Sequence, residues 1–576
     1  MGAALMDALR LTLPARQQGE HLLVETRPDR SRAWLESLPY GDMRLTLPKV
    51  LKALASLNRT ELSAVQRAAL MLDYENSYHL IASYYRRVAQ LQGHNRTALH
   101  ERLELQQLTR EMGFAYKLIV NDFLERKGGP GKSKSLAKAV FAAIHYLGLM
   151  LMGCYENYAP APVHLWRELY GLYAFAVQNT LDDQEIEAEE IREGLGNISA
   201  EFKRVCLLAV SDPYHLSRSE HWEIYQYLSY WVELASLDLH HEAEPSRHHF
   251  LIDLQGGGKP TAQSASKAAP QGKQWWLNTR MLVSRIQQHL DTLASPNQTP
   301  LNIGFSAHLP LREVQQVLMC LQRAWDEHPE RSAPRFPKIN RVDLIWNLGA
   351  IHNLFKALDP LTPGHHDEGP KATTFDIACL ESEQLHHLGW DAINGSEGGL
   401  CLTQHGAPVH QLEVGQLAAL REHVDGKPGS RWSLVVLRWL HSEQRQTTLG
   451  LEFIRGDVQV VSVHALHGNK IDTRPKPAFL ISGQEVQGIS TPTVIAPRGL
   501  YREGRTMGLQ IGDEQIYIHA RNRVEVTGSF ERFFYQTFEP TTDQLRPTQA
   551  DRIEDEMTIE YSSRDLVNRE LDWDRF

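Results

Sequence analysis

The hydrophobic pattern divides the chain into a helical half and a β-rich half. From Leu57 to about residue 237, apolar residues recur every three or four positions, and Asn58 or Thr60 can cap the first long run. This spacing gives each segment one apolar stripe, which is typical of amphipathic helices. Breaks rich in Gly and Pro separate the segments. We therefore predict an antiparallel array of helices, an all-α domain over residues 49–237.

One stretch of this helical half is apolar enough to raise the question of a membrane span. It runs from Ala139 to Tyr155 and contains His145. A span needs about 20 predominantly apolar residues, so this stretch is short for that purpose. We predict a buried core helix here and no membrane insertion.

After Arg331 the helical spacing gives way to short runs rich in β-branched and aromatic residues. Gly, Pro, Asn and Asp separate these runs, which is the pattern of many short strands in a small closed barrel. We assign the barrel to residues 331–470, with a polar insertion at 358–385. A second β-rich subdomain is expected over 471–540. The predicted fold class is therefore α+β and multidomain: an all-α array, then a β-barrel, then a further small β-rich piece.

The remaining segments lack a strong period of either kind. We predict an extended arm over 1–48, a hairpin and flexible linker over 238–280, a short helical segment over 281–330 and a charged tail over 541–576.

Composition narrows the class of protein. A chain of 576 residues with 42% hydrophobic and 23% charged residues is typical of a soluble protein with a few domains. Its 60 Lys and Arg against 70 Asp and Glu give a net charge of -10, which argues against a general nucleic-acid binder. The five Cys form no CxxC pair, which indicates reduced thiols. With no recognisable targeting segment, we expect a cytoplasmic protein.

Signals for an enzyme are weak. The stretch GGPGKSKS at 128–135 resembles a phosphate-binding loop, but Arg126 stands where that loop needs its first Gly, and a helix-like segment precedes it. The histidines at 240, 241, 248, 249, 365 and 366 fall in polar turns, and we interpret them as solvated loops with no metal site. No GxSxG or HExxH motif is present in the sequence. We therefore predict a binding protein without catalytic residues.

The informative residues lie in the β-rich half. Arg331 and Arg335 stand four apart before the first predicted strand, and Asn394, Ser396 and Gly399 follow in an NxSxxG pattern. Two arginines can hold phosphates and donate to the O6/N7 edge of guanine. Asn and Ser side chains can hydrogen-bond the remaining polar edges. Glycine allows a close backbone approach or a positive φ. The set suits an anionic purine ligand.

This ordered set resembles the bacterial PilZ domains, which are six-stranded β-barrels that serve as receptors for cyclic di-GMP. Arg331 and Arg335 match the family's RxxxR element, and the NxSxxG residues match its second element. VLRW at 436–439 and LGLEF at 449–453 match the later strands. The resemblance covers about 331–465 and implies that cyclic di-GMP is the ligand. The implied ligand-binding residues are Arg331, Arg335, Asn394, Ser396 and Gly399.

Two features depart from the family pattern. The gap between Arg335 and Asn394 is about twice the usual length, and the polar insertion can absorb it because lengthening a surface loop costs little. A second RxxxR pair, Arg498 and Arg502, lies after the barrel, in the wrong order for the family.

The combination of a helical N-terminal region with a late barrel resembles large PilZ-domain effectors of the FimW kind. That resemblance implies a role in type IV pilus or surface-attachment control, with an unidentified protein partner in the pilus or motility machinery. Two functions stay open. The chain is a cyclic di-GMP effector that changes conformation and signals to a protein partner, or it is a ligand-free scaffold that acts through its helical domain.

Overall fold

The structure is a computed structural model of the chain. It describes residues 9–15, 24–92, 96–125, 133–186, 196–238, 247–254, 257–262, 274–293, 295, 298–327, 336–338, 340–358, 388–406, 412–443, 445–467, 470–471, 475–483, 485–486, 489–490 and 492–539. The predicted insertion, apart from Leu358, and the predicted tail lie outside these ranges.

The chain divides into two compact units. Unit 1 comprises Met1–Ser332, His405–Glu413 and Trp439–Thr447, and unit 2 comprises Ala333–Gln404, Val414–Arg438 and Thr448–Phe576. The helices are α1 (Pro28–Glu36), α2 (Met43–Arg59), α3 (Ala64–Gln92), α4 (Arg96–Glu125), α5 (Ser133–Glu156), α6 (Val163–Gln178), α7 (Ile198–Ala209), α8 (Arg218–Trp231), α9 (Arg280–Thr292), α10 (Pro300–Ile303), α11 (Leu311–Gln322) and α12 (Leu348–Leu358).

Helix α5 packs against four other helices of unit 1, α4, α6, α7 and α8. By length and hydropathy it could cross a bilayer, but 83% of its most apolar window is buried inside the protein. Gly148 lets this helix approach α7 closely, because a Cβ at that position would lie 2.5 Å from Val205 Cγ2. The prediction of a core helix in this stretch is confirmed.

A buried charge network also joins the helices of unit 1. Glu201 of α7 is fully buried and accepts hydrogen bonds from Arg204 and from His145 Nδ1, the latter at 3.0 Å. Burial alone would raise the pKa of Glu201, but the charges of Arg204 and His145 outweigh it and lower that pKa to about 2. The carboxylate is therefore ionised and held by partners from its own helix and from α5.

The N-terminal region differs from the predicted extended arm. Helix α1 begins at Pro28, at a position where no intrahelical N–H donor is needed. Helix α2 begins after Asp42, whose side chain accepts from the backbone N–H groups of Arg44 and Leu45. Proline is compatible with an extended chain, but here Pro28 lies at the start of a helix.

Unit 1 also contains a four-stranded antiparallel sheet, where the sequence predicts a hairpin and linker. Its order is β1–β4–β2–β3. The strands are β1 (Ser236–Asp238), β2 (His249–Asp253), β3 (Thr261–Ala262) and β4 (Gln274–Asn278). The segment 263–273 between β3 and β4 is not among the described residues.

The β-rich half of the chain forms two closed barrels. The strands of the first barrel and its edges are β5 (Phe336–Pro337), β6 (Arg341–Trp346), β7 (Leu388–Ser396), β8 (Gly399–His405), β9 (Leu417–Val424), β10 (Lys427–Pro428), β11 (Ser433–Glu443) and β12 (Gln446–Phe453). Six of them close a ring in the order β6–β7–β8–β12–β11–β9, because β6 pairs with both β7 and β9. The predicted α+β architecture and its six-stranded barrel are confirmed.

The predicted second β-rich piece is itself a closed barrel. Its strands are β13 (Val458–His467), β14 (Lys470–Ile471), β15 (Lys476–Ile481), β16 (Glu485–Val486), β17 (Ile489–Ser490), β18 (Thr493–Pro497), β19 (Thr506–Ile511), β20 (Glu514–Val526) and β21 (Phe530–Phe538). The ring β13–β15–β18–β21–β20–β19 closes where β13 pairs with β19. Strand β13, which the sequence places within 331–470, hydrogen-bonds to second-barrel strands.

The two barrels share one apolar core. Its buried members come from the first barrel, from α12 and from the second barrel: Ile345, Ile351, Leu354, Leu417, Ala419, Trp432, Leu434, Val436, Phe479, Ile481, Ile495 and Phe530. His352 of α12 adds a polar link, since its Nε2 lies 3.0 Å from the backbone oxygen of Val461. Burial lowers the pKa of His352, which favours the neutral ring.

Candidate functional site

The predicted NxSxxG residues lie on one tight hairpin between β7 and β8. In the register of the two strands, Ser396 pairs with Gly399 and Asn394 pairs with Cys401. Side chains alternate between the faces of a strand, so Asn394 and Ser396 lie on the same face of β7. The structure therefore brings these two residues and Gly399 together, as the sequence predicts.

The side chains of Asn394 and Ser396 differ from most polar side chains in their hydrogen bonding. Both residues are half-buried, and neither side chain makes a hydrogen bond with the part of the chain that the structure describes. A β-bulge separates Ala392 from Asn394 in the pairing with β8. Bulges commonly re-aim the neighbouring side chains. Toward the described residues, the hairpin therefore presents an amide and a hydroxyl that are not engaged in hydrogen bonds.

The predicted arginines Arg331 and Arg335 lie outside the described residues. The segment that follows them, from Phe336, is described. Phe336, which comes directly after Arg335, pairs with Gly395, and Pro337 pairs with Asn394. The short strand β5 therefore adds to the edge of β7 at the Asn394 position.

A glycine is required at position 399 because the neighbouring backbone leaves no room for a side chain. Its φ is not among the left-handed glycine values, so a close approach is the relevant property. A Cβ at this position would collide with the carbonyl oxygen of Leu451 in β12. The backbone N–H of Phe453 donates to the oxygen of Gly398 at 2.9 Å, which fixes the hairpin against β12. The close approach expected for a ligand is made here to a neighbouring strand.

Two further cations lie against β7, and motif matching missed both. The backbone N–H of Lys338 donates to Ile393 at 3.1 Å, and the Lys338 side chain passes 3.5 Å from the place of a Cβ on Gly395. The guanidinium of Arg341 covers Gly389, where a Cβ would lie 2.6 Å from Nη2. Their position three and six residues after Arg335 is the signal that could have identified them.

A buried ion cluster holds strands β6 and β9 together behind these residues. Asp343 accepts from Arg421 Nη2 at 2.8 Å, and His423 Nε2 lies 2.9 Å from the same carboxylate oxygen. Arg421 also lies over the ring of Trp432, at 4.6 Å from its centroid. Because the carboxylate and guanidinium are almost completely buried, this cluster has a structural role in the barrel.

The second RxxxR pair belongs to the other barrel. Arg498 and Arg502 follow β18, and both residues are exposed. Arg498 Nη1 donates to the backbone oxygen of Thr527 at 3.5 Å. These arginines are therefore carried by the second barrel, while Asn394 and Ser396 are carried by the first.

The histidine-rich segments give no metal centre in the described chain. Within the ranges given above, no group of three or more His, Cys, Asp or Glu side chains is placed to hold a metal ion. The prediction of a solvated loop is wrong for His248 and His249, which are both buried. His249 begins β2, where it pairs with Asn278. The histidines at 240, 241, 365 and 366 lie outside the described residues.

Comparison with protein-family models gives three matches in the order of the fold. Residues 29–243 match the model described as cyclic-di-GMP receptor FimW, N-terminal domain. Residues 366–458 match the middle PilZ domain of the same receptor, and residues 461–538 match the FimW C-terminal beta-barrel domain. The boundary between the last two matches agrees with the change from the first barrel to the second. The middle match contains Asn394, Ser396 and Gly399 but begins after both predicted arginines.

A full-length relative supports the same grouping. The chain is 23% identical over 601 aligned positions to the cyclic-di-GMP receptor FimW of Pseudomonas aeruginosa, and the alignment covers 94% of this chain and 96% of the relative. The similarity therefore extends through all three matched domains.

Proposed function

Since this chain belongs to the FimW family of PilZ-domain cyclic di-GMP receptors, we propose that it binds cyclic di-GMP at the Asn394–Gly399 hairpin of the first barrel. The single observation that carries this site is the pair of half-buried side chains, Asn394 and Ser396, without hydrogen-bond partners in the described chain. Polar groups in folded proteins usually find a partner in the protein or in ordered water, and a ligand can take the place of that water. A ligand with phosphates and guanine edges would supply one.

We assign the residues distinct roles. Asn394 and Ser396 hydrogen-bond the polar edges of the ligand, and Gly399 keeps the hairpin seated on β12. Arg331 and Arg335 hold phosphate and guanine groups, because a guanidinium can donate two parallel hydrogen bonds to either. Strand β5 supports this assignment, since its pairing with β7 brings the chain directly after Arg335 to the hairpin.

Lys338 and Arg341 add positive charge beside the same strand. Lys338 Nζ lies 2.5 Å from Glu422 Oε2, and the two side chains are 33% and 30% exposed. Such a half-exposed pair is worth little in water, so it can be rearranged cheaply by an anionic ligand. We propose that both cations attract the phosphates without specifying the base.

The proposed activity is that of a cytoplasmic effector and not of an enzyme. Binding shifts the chain between conformations only as far as the ligand prefers one of them. We propose that the preferred conformation is read by a protein partner in pilus or surface-attachment control. No bond of the ligand is broken in this scheme.

The test compares the two arginine pairs in full-length protein. Arg331→Ala and Arg335→Ala are expected to weaken cyclic di-GMP binding by roughly tenfold to a hundredfold each, since charged hydrogen bonds contribute about 1.5–3 kcal/mol. Arg498→Ala is the matched control and is expected to leave the affinity unchanged. Circular dichroism checks that each variant is folded. Unchanged affinity in both Arg331→Ala and Arg335→Ala would remove these arginines from the site.

A further inference from the structure

One arginine connects the proposed nucleotide hairpin with the second barrel. Arg438 of β11 lies in the first barrel, where its Nε is 2.5 Å from Glu452 Oε2 of β12. Its Nη1 donates to Glu525 Oε1 of β20, in the second barrel. Burial alone would lower the pKa of Arg438, but the carboxylates of Glu525 and Glu452 outweigh this and raise it. The guanidinium is therefore shared between one carboxylate of each barrel.

The backbone of Glu452, which carries the first of these carboxylates, lies directly beside the hairpin. The Cα of Glu452 is 3.4 Å from the place that a Cβ on Gly399 would occupy. The next residue, Phe453, donates its backbone N–H to the oxygen of Gly398 at 2.9 Å. The hairpin therefore contacts the backbone at Glu452 directly, because β8 and β12 are neighbouring strands.

The second carboxylate, that of Glu525, lies on β20, a strand that is not part of the proposed ligand site. Glu525 lies near the end of β20, where the pairing with β21 shifts register between Arg523 and Glu525. Its side chain is 18% exposed, against 55% for Glu452. The less exposed pair is the stronger of the two, since water screens it less. The two carboxylates bind different nitrogens of one guanidinium, Nε for Glu452 and Nη1 for Glu525, so a movement of the guanidinium toward one changes its bond to the other.

Other contacts hold the rest of this junction in place. The shared apolar core contains Val436 of β11 and Phe530 of β21. Ser529 Oγ donates to the backbone oxygen of Gly415 at 3.0 Å. Packed cores resist gradual deformation, so a polar contact at their margin can change while the barrels stay docked.

We propose that Arg438 couples occupancy of the nucleotide hairpin to the second barrel by redistributing between Glu452 and Glu525. The inference rests on the proposed function, because it needs an anionic ligand at Asn394 and Ser396. The two phosphodiester groups of bound cyclic di-GMP add negative charge at the hairpin next to β12, which draws the guanidinium toward the first barrel and loosens its bond to Glu525. Coupling is reciprocal, so breaking the Glu525 contact also changes the affinity for the ligand.

The experiment is hydrogen–deuterium exchange of the full-length protein with and without cyclic di-GMP. In the parent protein we expect the ligand to slow exchange in residues 388–405 and to speed it in residues 514–526. Glu525→Gln keeps the shape of the side chain and removes its charge. We expect it to retain the hairpin protection, lose the response of 514–526 and change the affinity by about threefold to tenfold, which corresponds to about 0.7–1.4 kcal/mol.

Two further variants separate coupling from general damage. Glu514→Gln changes a carboxylate at the exposed start of the same strand and is expected to respond like the parent protein. Arg438→Lys keeps the charge but lacks the planar fork that reaches two carboxylates, so it is expected to lose the response of 514–526 as well. A parent protein with hairpin protection and no response in 514–526 would overturn the coupling. So would an unchanged response in both Glu525→Gln and Arg438→Lys. If the parent protein shows no hairpin protection at all, the proposed function fails together with this inference.

Discussion

Gly399 of β8 lies so close to Leu451 of β12 that the Leu451 carbonyl oxygen occupies the space of a side chain at position 399. The motif glycine is thus explained by contact between two strands. Because the same hairpin carries Asn394 and Ser396, the packing of β8 on β12 decides where those side chains point. The site and the barrel core are therefore linked at this residue.

Gly399→Ala tests that relationship. The added methyl meets backbone, which cannot rotate away, so we expect a lower denaturation temperature, a loss of about 1–3 kcal/mol, and weaker ligand binding. Gly398→Ala is the matched control in the adjacent position, where a Cβ would lie 4.0 Å from Ser396 Oγ. Calorimetric unfolding compares the two. Equal stability of both variants would contradict the close packing assigned to Gly399.

Asn394→Ala and Ser396→Ala separate binding from folding. Neither side chain has a hydrogen-bond partner among the described residues, so its removal is expected to change the free energy of unfolding by less than about 0.5 kcal/mol. Each variant is expected to bind cyclic di-GMP roughly threefold to tenfold more weakly, since one hydrogen bond to a polar edge of the ligand is lost, worth about 1 kcal/mol. Titration and thermal unfolding of the same samples check both parts. Full affinity in the double variant would exclude the hairpin as the site.

Substitution in the buried cluster around Asp343 is expected to lower the free energy of unfolding more than substitution in a half-exposed ion pair. Asp343→Asn leaves the guanidinium of Arg421 buried without its counter-charge, which is expected to cost about 3–5 kcal/mol. Lys338→Met breaks the half-exposed pair with Glu422 and is expected to cost less than about 1 kcal/mol. Urea unfolding of the two variants measures the difference. Similar midpoints for both would show that the cluster does not stabilise the barrel.

Acid is expected to weaken the helical unit through His221. This ring is fully buried, and burial lowers its pKa to about 4, while its Nε2 lies 2.8 Å from the oxygen of Pro213. Because the folded-state pKa lies below the ordinary value of about 6.5, the unfolded chain takes up the proton first. The stability contributed by the neutral ring is therefore complete above about pH 6.5 and is lost as the pH falls toward 4. The full loss is about 3 kcal/mol.

His221→Gln removes the titrating group and keeps a donor for Pro213. We expect the free energy of unfolding of this variant to depend less steeply on pH between about 6.5 and 4 than that of the parent protein. Urea midpoints measured across that range provide the comparison. Identical slopes for the two proteins would assign the pH dependence to other groups.

Local patterns predict much of this fold. Three- and four-residue spacing identifies the helical half, including the core helix around His145, because a buried helix face leaves a direct trace in the sequence. Short β-branched runs identify the barrel strands in the same way. The NxSxxG residues could also be predicted, since they lie within one hairpin and keep their spacing in space.

Contacts between residues far apart in the sequence produce no periodic pattern from which they could be predicted. Strand β13 pairs with β19 through partners such as Val463 and Leu509, 46 positions apart, so its place in the second barrel does not follow from its own alternation. Arg438 and Glu525 come from different barrels, and no period in the sequence connects them. The first helices could not be predicted in this way, because residues 1–48 show no strong period and a proline such as Pro28 suits both an extended chain and a helix start.

Calorimetric titration of the full-length protein with cyclic di-GMP tests the central claim most directly, with GTP and cyclic di-AMP as controls. We expect saturable binding at micromolar affinity or tighter, about -8 kcal/mol or better, and no comparable binding of the controls. Absence of binding at protein concentrations of roughly 100 μM, well above that expected affinity, would contradict the account and leave the barrel as a scaffold for the helical unit.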